Sequence, residues 1–191
     1  VLKQAPSELI LLDQNEYAVY KIEQTLIQGS KGKTKIYPVV RDIKNKESMT
    51  KLFDKYKPDI VYHTAAYKHI PLMEKNPRVA VENNVIGTIN LAKAAVSSGV
   101  EKFIFISTDK AVKPTSVMGG TKRLAEMFVI GMNGQSATKF SVVRFGNVLH
   151  SSGSVIPKFE DQISNGDPIT LTDSQMTRYF ITTEEACQLV M

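Results

Sequence analysis

The chain is poor in the residues that build disulfides and metal sites: one cysteine and three histidines in 191 residues. A single Cys187 excludes an intrachain disulfide, and its place in a helical pattern predicts a buried thiol. No metal-ligating pattern is read. No apolar run approaches the length that crosses a bilayer and no signal-peptide pattern opens the chain, so the segment reads as soluble. Internal repeats and low-complexity tracts are absent too. The most consequential lack is a glycine pattern. A dinucleotide fold should open with a strand and a Gly-x-Gly-x-x-Gly turn, whose backbone amides and helix N-terminus hold a pyrophosphate. None of the 11 glycines forms that pattern. The expectation is a chain that starts downstream of such a turn and stops inside a helix, a fragment cut at both ends.

What is present is ordinary in bulk. Hydrophobic residues make up 42% and charged residues 23%, the balance of a globular protein. The net charge of +5 lies in scattered lysines and in Lys31-Gly-Lys-Thr-Lys35, which reads as a solvated turn. A mildly basic surface of this kind suits an anionic small molecule and gives no case for nucleic acid. Strand and helix patterns alternate, which predicts α/β architecture: a parallel sheet covered by helices. Strands are expected at Leu9–Leu12, Ile36–Val40, Asp59–His63, at Phe103 and at Phe140–Arg144. Helices are expected over Gln14–Leu26, closed by Gly29, over Ser48–Tyr56, from Pro77 to Ser98, and from Met118. Residues 1–145 form the sheet domain. Residues 146–191 begin a smaller, interleaved lobe, with a helix near Phe159, a strand at Ile169–Leu171 and a helix from Thr183.

The chemistry concentrates after the strand Phe103-Ile-Phe-Ile106. Ser107-Thr108-Asp109-Lys110 sits where that strand would deliver it, at the C-terminal edge where open α/β sheets bind ligands. A hydroxyl, a carboxylate and an ammonium at consecutive positions supply a donor, an acid and a base within reach of one substrate. Eight residues on, Met118-Gly-Gly-Thr-Lys122 opens a helix that can turn Lys122 to the same place. Each element has a plainer reading: exposed Asp and Lys after a strand, Met118 as core filler, Lys122 as a helix-surface lysine. Asp13, at the end of the first strand, is either a helix N-cap or the acidic residue that holds an adenosine ribose, which would favour NAD over NADP by repelling a 2′-phosphate.

These motifs, with Arg144-Phe-Gly-Asn147-Val, Ser151-Ser-Gly-Ser-Val-Ile-Pro157 and Met176-Thr-Arg178-Tyr-Phe, resemble the extended short-chain dehydrogenase/reductase superfamily. Within it they are similar to the nucleotide-sugar 4,6-dehydratases of bacterial polysaccharide biosynthesis that act on UDP-N-acetylglucosamine, in the branch with Met in place of the usual tyrosine. The resemblance implies a Rossmann-like, doubly wound parallel sheet lacking its first strand, followed by the start of a substrate-binding lobe. It implies Lys110 as base at sugar C5, Asp109 as acid at O6, and Thr108 near O4. Met118 stands in the tyrosine position, and Lys122 at the nicotinamide ribose. NAD would lie against Asp13, Asp42, Ile43, Ala65, Ala66 and Lys68, and a UDP-sugar against His69, Asn147, Ser154, Val155 and Arg178. The acid should have a raised pKa and the lysine a lowered one through mutual burial. A cytoplasmic homo-oligomer, its parent anchored at the inner face of the bacterial membrane, is also implied. The rivals are a UDP-sugar 4-epimerase, which needs no Asp109-Lys110 pair, and a non-catalytic nucleotide-binding module.

Overall fold

In the computed structural model, which describes residues 1–30, 32–149, 155–171 and 173–191, the expected strand–helix alternation is present and every strand pairing is parallel. Strand β1 (Glu8–Asp13) runs beside β2 (Lys35–Val40), with Leu9 opposite Ile36 and Asp13 opposite Val40. A second sheet has the order β3 (Ile60–His63), β4 (Lys102–Thr108), β5 (Lys139–Phe145). Among the described residues no ladder joins β1 to β3. The two sheets are linked by the β2–β3 crossover through helix α2 (Lys46–Tyr56).

Strand β4 is central because it pairs with β3 on one side and β5 on the other, and its burial alternates along the strand. Phe103, Phe105 and Ser107 share one face and are all buried. The two phenylalanines meet Met49 and Phe53 of α2, Leu91 and Ala95 further along the chain, Ala125, Val129 and Phe140 in one core. Burying each aromatic side chain is worth roughly 1.5–3 kcal/mol, so this face of β4 anchors the edge beyond it.

Helix α1 (Glu16–Ser30) is capped by Asn15, whose Oδ1 accepts the Ala18 N–H at 3.1 Å. It passes through Gly29 rather than stopping there; the glycine with positive φ is Gly32, at 76°. Its apolar spacing also misleads. Tyr17, Tyr20 and Ile22 are exposed and only Val19 is buried.

Between β3 and β4 the chain forms a short helix α3 (Ile70–Lys75) that was not anticipated, then the helix expected from Pro77. That helix has three parts: α4 (Pro77–Val81), a π turn (Glu82–Ile86) and α5 (Gly87–Ser97). At the junction Gly87 lies against Ile43, and a Cβ there would come 2.5 Å from Ile43 Cδ1, so that side chain would have to turn aside. Helix α6 (Val117–Gly131) then packs on β4 and β5.

After β5, β6 (Asn147–Val148) pairs with β7 (Phe180–Ile181), flanking α7 (Val155–Ser164) and followed by α8 (Thr183–Val190). The strand expected at Ile169–Leu171 does not form. Thr170 instead bonds the Gln162 side chain, and Ile169 and Leu171 are exposed. Cys187 is exposed as well, contrary to the expected buried thiol, because α8 buries only Ala186.

Candidate functional site

Strand β4 ends at Thr108 and the chain tightens at once into a single 3₁₀ turn, Asp109–Ala111. That turn folds three side chains together. Thr108 Oγ1 donates to Asp109 Oδ1 at 2.8 Å, and Lys110 Nζ donates to the same oxygen at 3.0 Å. Lys110 Nζ also donates to Asn147 Oδ1 at 3.0 Å, which ties the turn to the strand after β5. Asn147 in turn donates its backbone N–H to Tyr179 O. Gly146 makes this approach possible, because a Cβ there would sit 2.4 Å from the Tyr179 carbonyl oxygen. Arg178 therefore enters the neighbourhood of Asn147 along the chain, while its exposed guanidinium donates to the adjacent Thr177 carbonyl.

The electrostatics differ from the expectation. Asp109 and Lys110 keep 31% and 28% of their side-chain surface, so the pair is only partly buried. Burial pushes the Asp109 pKa up, but the bonds from Lys110 and Thr108 outweigh it and hold the carboxyl below its ordinary value. The raised acid that elimination requires is not what this geometry produces. The reason is that Lys110 donates straight to the carboxylate.

Met118 is buried with Met73 and Ala80, against Tyr67 and Ile70. It fills a satellite core, the plainer of its two readings. Lys122 is not on the helix surface: only 5% exposed, its Nζ donates to Ile106 O at 2.6 Å and lies 3.9 Å from the centre of the Phe105 ring. Burial lowers its pKa to about 7, with Glu126 acting in the opposite direction.

A separate cavity of about 210 Å³ opens at the ends of β1, β2 and β3. Asp13, Ile43, Ala65 and Ala66 line it, as expected, together with Gln14, Arg41, Thr64, Tyr67 and Asn83, which were not anticipated. Gln14 Nε2 bridges to the Tyr67 hydroxyl. The walls are mixed, with Leu12, Ile43 and two alanines beside Asp13, Arg41 and other polar groups, a combination that suits a flat ring and a sugar hydroxyl. Asp13 is not the helix cap; one of its oxygens accepts the Asn15 N–H. Asp42 does not line the cavity: its carboxylate accepts the Lys44 N–H and pairs with Lys44 Nζ at 3.2 Å. Lys68 and His69 are exposed before α3, and Val155 is exposed at the start of α7. Ser154, with the Ser151–Ser154 run, lies outside the described residues.

Asn84 joins these places and was missed. The π turn aims its amide at the β3–α3 loop, where it accepts from Tyr67 N–H and donates to Tyr67 O, and it also donates to Thr121 Oγ1 beside Lys122. Inserted π turns mark functional sites in many helices. Two consecutive asparagines inside a helix, where asparagine is a poor former, were the available signal.

Parallel sheets with a polar cluster and a cleft at their carboxyl ends define a Rossmann-like α/β protein of the extended short-chain dehydrogenase/reductase type. The chain belongs to the polysaccharide biosynthesis protein family, whose pattern it matches over residues 1–191. It is 48% identical to the capsular polysaccharide biosynthesis protein CapD of Staphylococcus aureus, across all of this chain and 32% of that protein. A UDP-N-acetylglucosamine 4,6-dehydratase (inverting) of Campylobacter jejuni is 36% identical over 156 residues, 80% of this chain and 46% of its own. UDP-glucose 4-epimerases of Rickettsia match as well. The solved structure of Pen from Bacillus thuringiensis superposes with a TM-score of 0.88 at 36% identity, covering 99% of this chain and 57% of that one. The chain thus spans a third to a half of the curated relatives it matches.

Proposed function

We propose that the protein carrying this chain dehydrates a UDP-N-acetyl-hexosamine, in the first instance UDP-N-acetylglucosamine, to a 4-keto-6-deoxy sugar for polysaccharide biosynthesis. The observation that supports this reading best is the Thr108–Asp109–Lys110–Asn147 cluster at the carboxyl edge of β4. An epimerase that only oxidises and re-reduces C4 has no use for an acid and a base on adjacent residues. A binding module has none either.

Asp13, Ile43, Ala65, Ala66 and Arg41, which line the 210 Å³ cavity, would hold the adenosine half of NAD, with the Asp13 carboxylate suited to a ribose hydroxyl. NAD, when bound, accepts hydride from sugar C4 and returns it to C6. Lys122, which does not line that cavity, would serve the nicotinamide ribose from α6, its Nζ held at the Ile106 carbonyl two residues before Thr108. Lys68 belongs to the loop between cofactor and sugar.

The chain's own residues carry the elimination. Thr108 holds the sugar near O4. Lys110 takes the proton from C5, made acidic by a ketone at C4, and Asp109 protonates the departing C6 hydroxyl. A sugar that parts Lys110 from Asp109 and takes the Thr108 hydroxyl removes both side-chain bonds that lower Asp109, so that burial pushes it upward. Met118 cannot take the O4 proton, so that proton leaves through water toward Asp109 or Lys122. Asn147, Ser154, Val155, His69 and Arg178 form the UDP side, with Arg178 offering the fork that suits a diphosphate.

The test is to incubate the intact protein with UDP-N-acetylglucosamine and NAD⁺ in D₂O and follow the sugar by NMR. Wild type should yield the 4-keto-6-deoxy product with deuterium at C5. Lys110→Ala and Asp109→Asn should each lower that yield at least a hundredfold, the usual scale for a lost general acid or base, while UDP-sugar affinity changes little. Undiminished product in either variant, or a C4 epimer as the only product of wild type, would remove this assignment.

A further inference from the structure

Glu126 stands one turn after Lys122 on α6 and has no exposed side-chain surface. Arg144 of β5 grips its carboxylate with two donors, Nε at 2.8 Å and Nη2, and Arg123 adds Nη1 at 3.3 Å. The Ser107 hydroxyl lies beside the same group; among the described residues it is the buried side-chain polar atom left without a well-formed bond. A buried carboxylate held by two guanidinium groups is a weak source of stability, since apolar residues of equal volume often do as well. Another reason for it stands at the other end of the turn. Residues i and i+4 share a helix face, and the i residue here is a lysine buried to 5% exposure.

We propose that Glu126 is a positioning residue that favours the ammonium form of the buried Lys122 one helical turn away, with Arg144 and Arg123 keeping Glu126 itself ionised. This rests on the role given above to Lys122 only for its consequence in catalysis; the charge linkage itself needs no substrate.

The surroundings of Lys122 leave this work to Glu126. From β4 it meets the Ile106 carbonyl and the Phe105 ring, neither of which carries a full charge. From β3 it faces His63, which burial and the lysine's own charge hold neutral, with a pKa of about 3. Other acids nearby are engaged elsewhere: Glu74 of α3 accepts the Val117 N–H, Glu82 of the π turn pairs with Arg78, and Asp109 pairs with Lys110. Glu126 is the carboxylate that raises the lysine, against the burial that lowers it to about 7. Its own pKa is pushed up by burial, yet Arg144, Ser107 and Arg123 hold it below the ordinary value.

The experiment labels the intact protein with [ε-¹³C]lysine and follows the Cε shift of Lys122 against pH, with Lys122→Met to assign the signal. Wild type should titrate near pH 7. Glu126→Gln should move the midpoint down by a pH unit or more, a tenfold or larger loss of ammonium. Arg144→Met, which removes a cation and leaves the carboxylate, should move it up. A merely structural role loosens the packing in both variants and sends both midpoints up toward the ordinary lysine value, which overturns the proposal, as does an unmoved midpoint in Glu126→Gln. Should Glu126→Gln not fold, the double variant Glu126→Gln/Arg144→Met decides: a midpoint below that of Arg144→Met supports the linkage, an equal one refutes it. A shifted midpoint without dehydratase activity keeps the linkage and discards the proposed reaction.

Discussion

His63 shows how a single buried residue couples the fold to pH. Its Nε2 lies 2.8 Å from Thr88 Oγ1, and its ring packs on Phe103 and Phe105. Burial lowers its pKa from 6.5 to about 3. The folded state therefore binds fewer protons than the unfolded state across that window, so stability falls as pH drops from about 6.5 toward 3. One such group contributes a slope approaching about 1.4 kcal/mol per pH unit. The depressed carboxylates, Asp109 and Glu126, begin to add their own loss only at lower pH. Urea midpoints between pH 5 and 6.5 should decline for wild type and stay flatter for His63→Gln; parallel declines would assign the slope to other groups. At this scale the sequence said much about which residues collect after β4 and little about their state. Thr108, Asp109 and Lys110 were found from their place at a strand end. The direction of the Asp109 shift was not, because it depends on whether the lysine's head group lies on the carboxylate or apart from it. Asn84 and Glu126 escaped for a related reason. A polar residue inside a helix reads as surface until the partner, 37 residues away in one case and 18 in the other, is brought to it.

Among the elements, two neighbouring glycines make the same point more sharply. Gly119 and Gly120 both open α6, yet a Cβ on the first would lie 2.5 Å from the Lys110 carbonyl oxygen and on the second would meet nothing within 4 Å. Gly119→Ala should displace the Asp109–Ala111 turn, cost about 1–3 kcal/mol as overpacking does, and abolish any activity that needs the pair. Gly120→Ala should be neutral or stabilising by up to about 1 kcal/mol, since alanine is the better helix former. Thermal melts of the two variants check this, and equal effects would mean that α6 does not need its close approach to the turn. The pattern Met118-Gly-Gly-Thr-Lys122 could mark the start of a helix but could not rank its glycines. Strand β4 and the start of α6 were read within a residue or two. Elements held by a few side-chain bonds were not: α3, the π turn, and the two-residue strands β6 and β7. Ile169–Leu171 failed in the other direction, its β-branched run outweighed by the lack of any strand beside it.

At the scale of the whole molecule the two parallel sheets matter most. The 191 residues hold a cavity of about 210 Å³ with Asp13 in its wall but no glycine turn to meet two phosphate charges. Residues 1–191 alone should therefore bind NAD⁺ at least a hundredfold more weakly than a longer polypeptide that carries such a turn. Calorimetry on both decides it, and equal affinity would mean that other donors serve the pyrophosphate. Among the described residues no ladder joins β1 to β3, which has a consequence for how residues 1–191 open when taken by themselves. Backbone hydrogen bonds hold β1 only to β2, and its side chains are merely half-buried, whereas β4 is paired on both sides and covered by the main core. Opening of the β1–α1–β2 unit breaks one ladder and leaves the other sheet whole. Native-state hydrogen exchange should then show two cooperative units: the amides of β1 and β2 exchanging through a low-energy subglobal opening, and those of β4 and β5 only through global unfolding. The strand that carries Asp13 would thus come and go on a timescale of its own, and a nucleoside gripping it would be read first as slowed deuterium uptake at Leu9–Leu12.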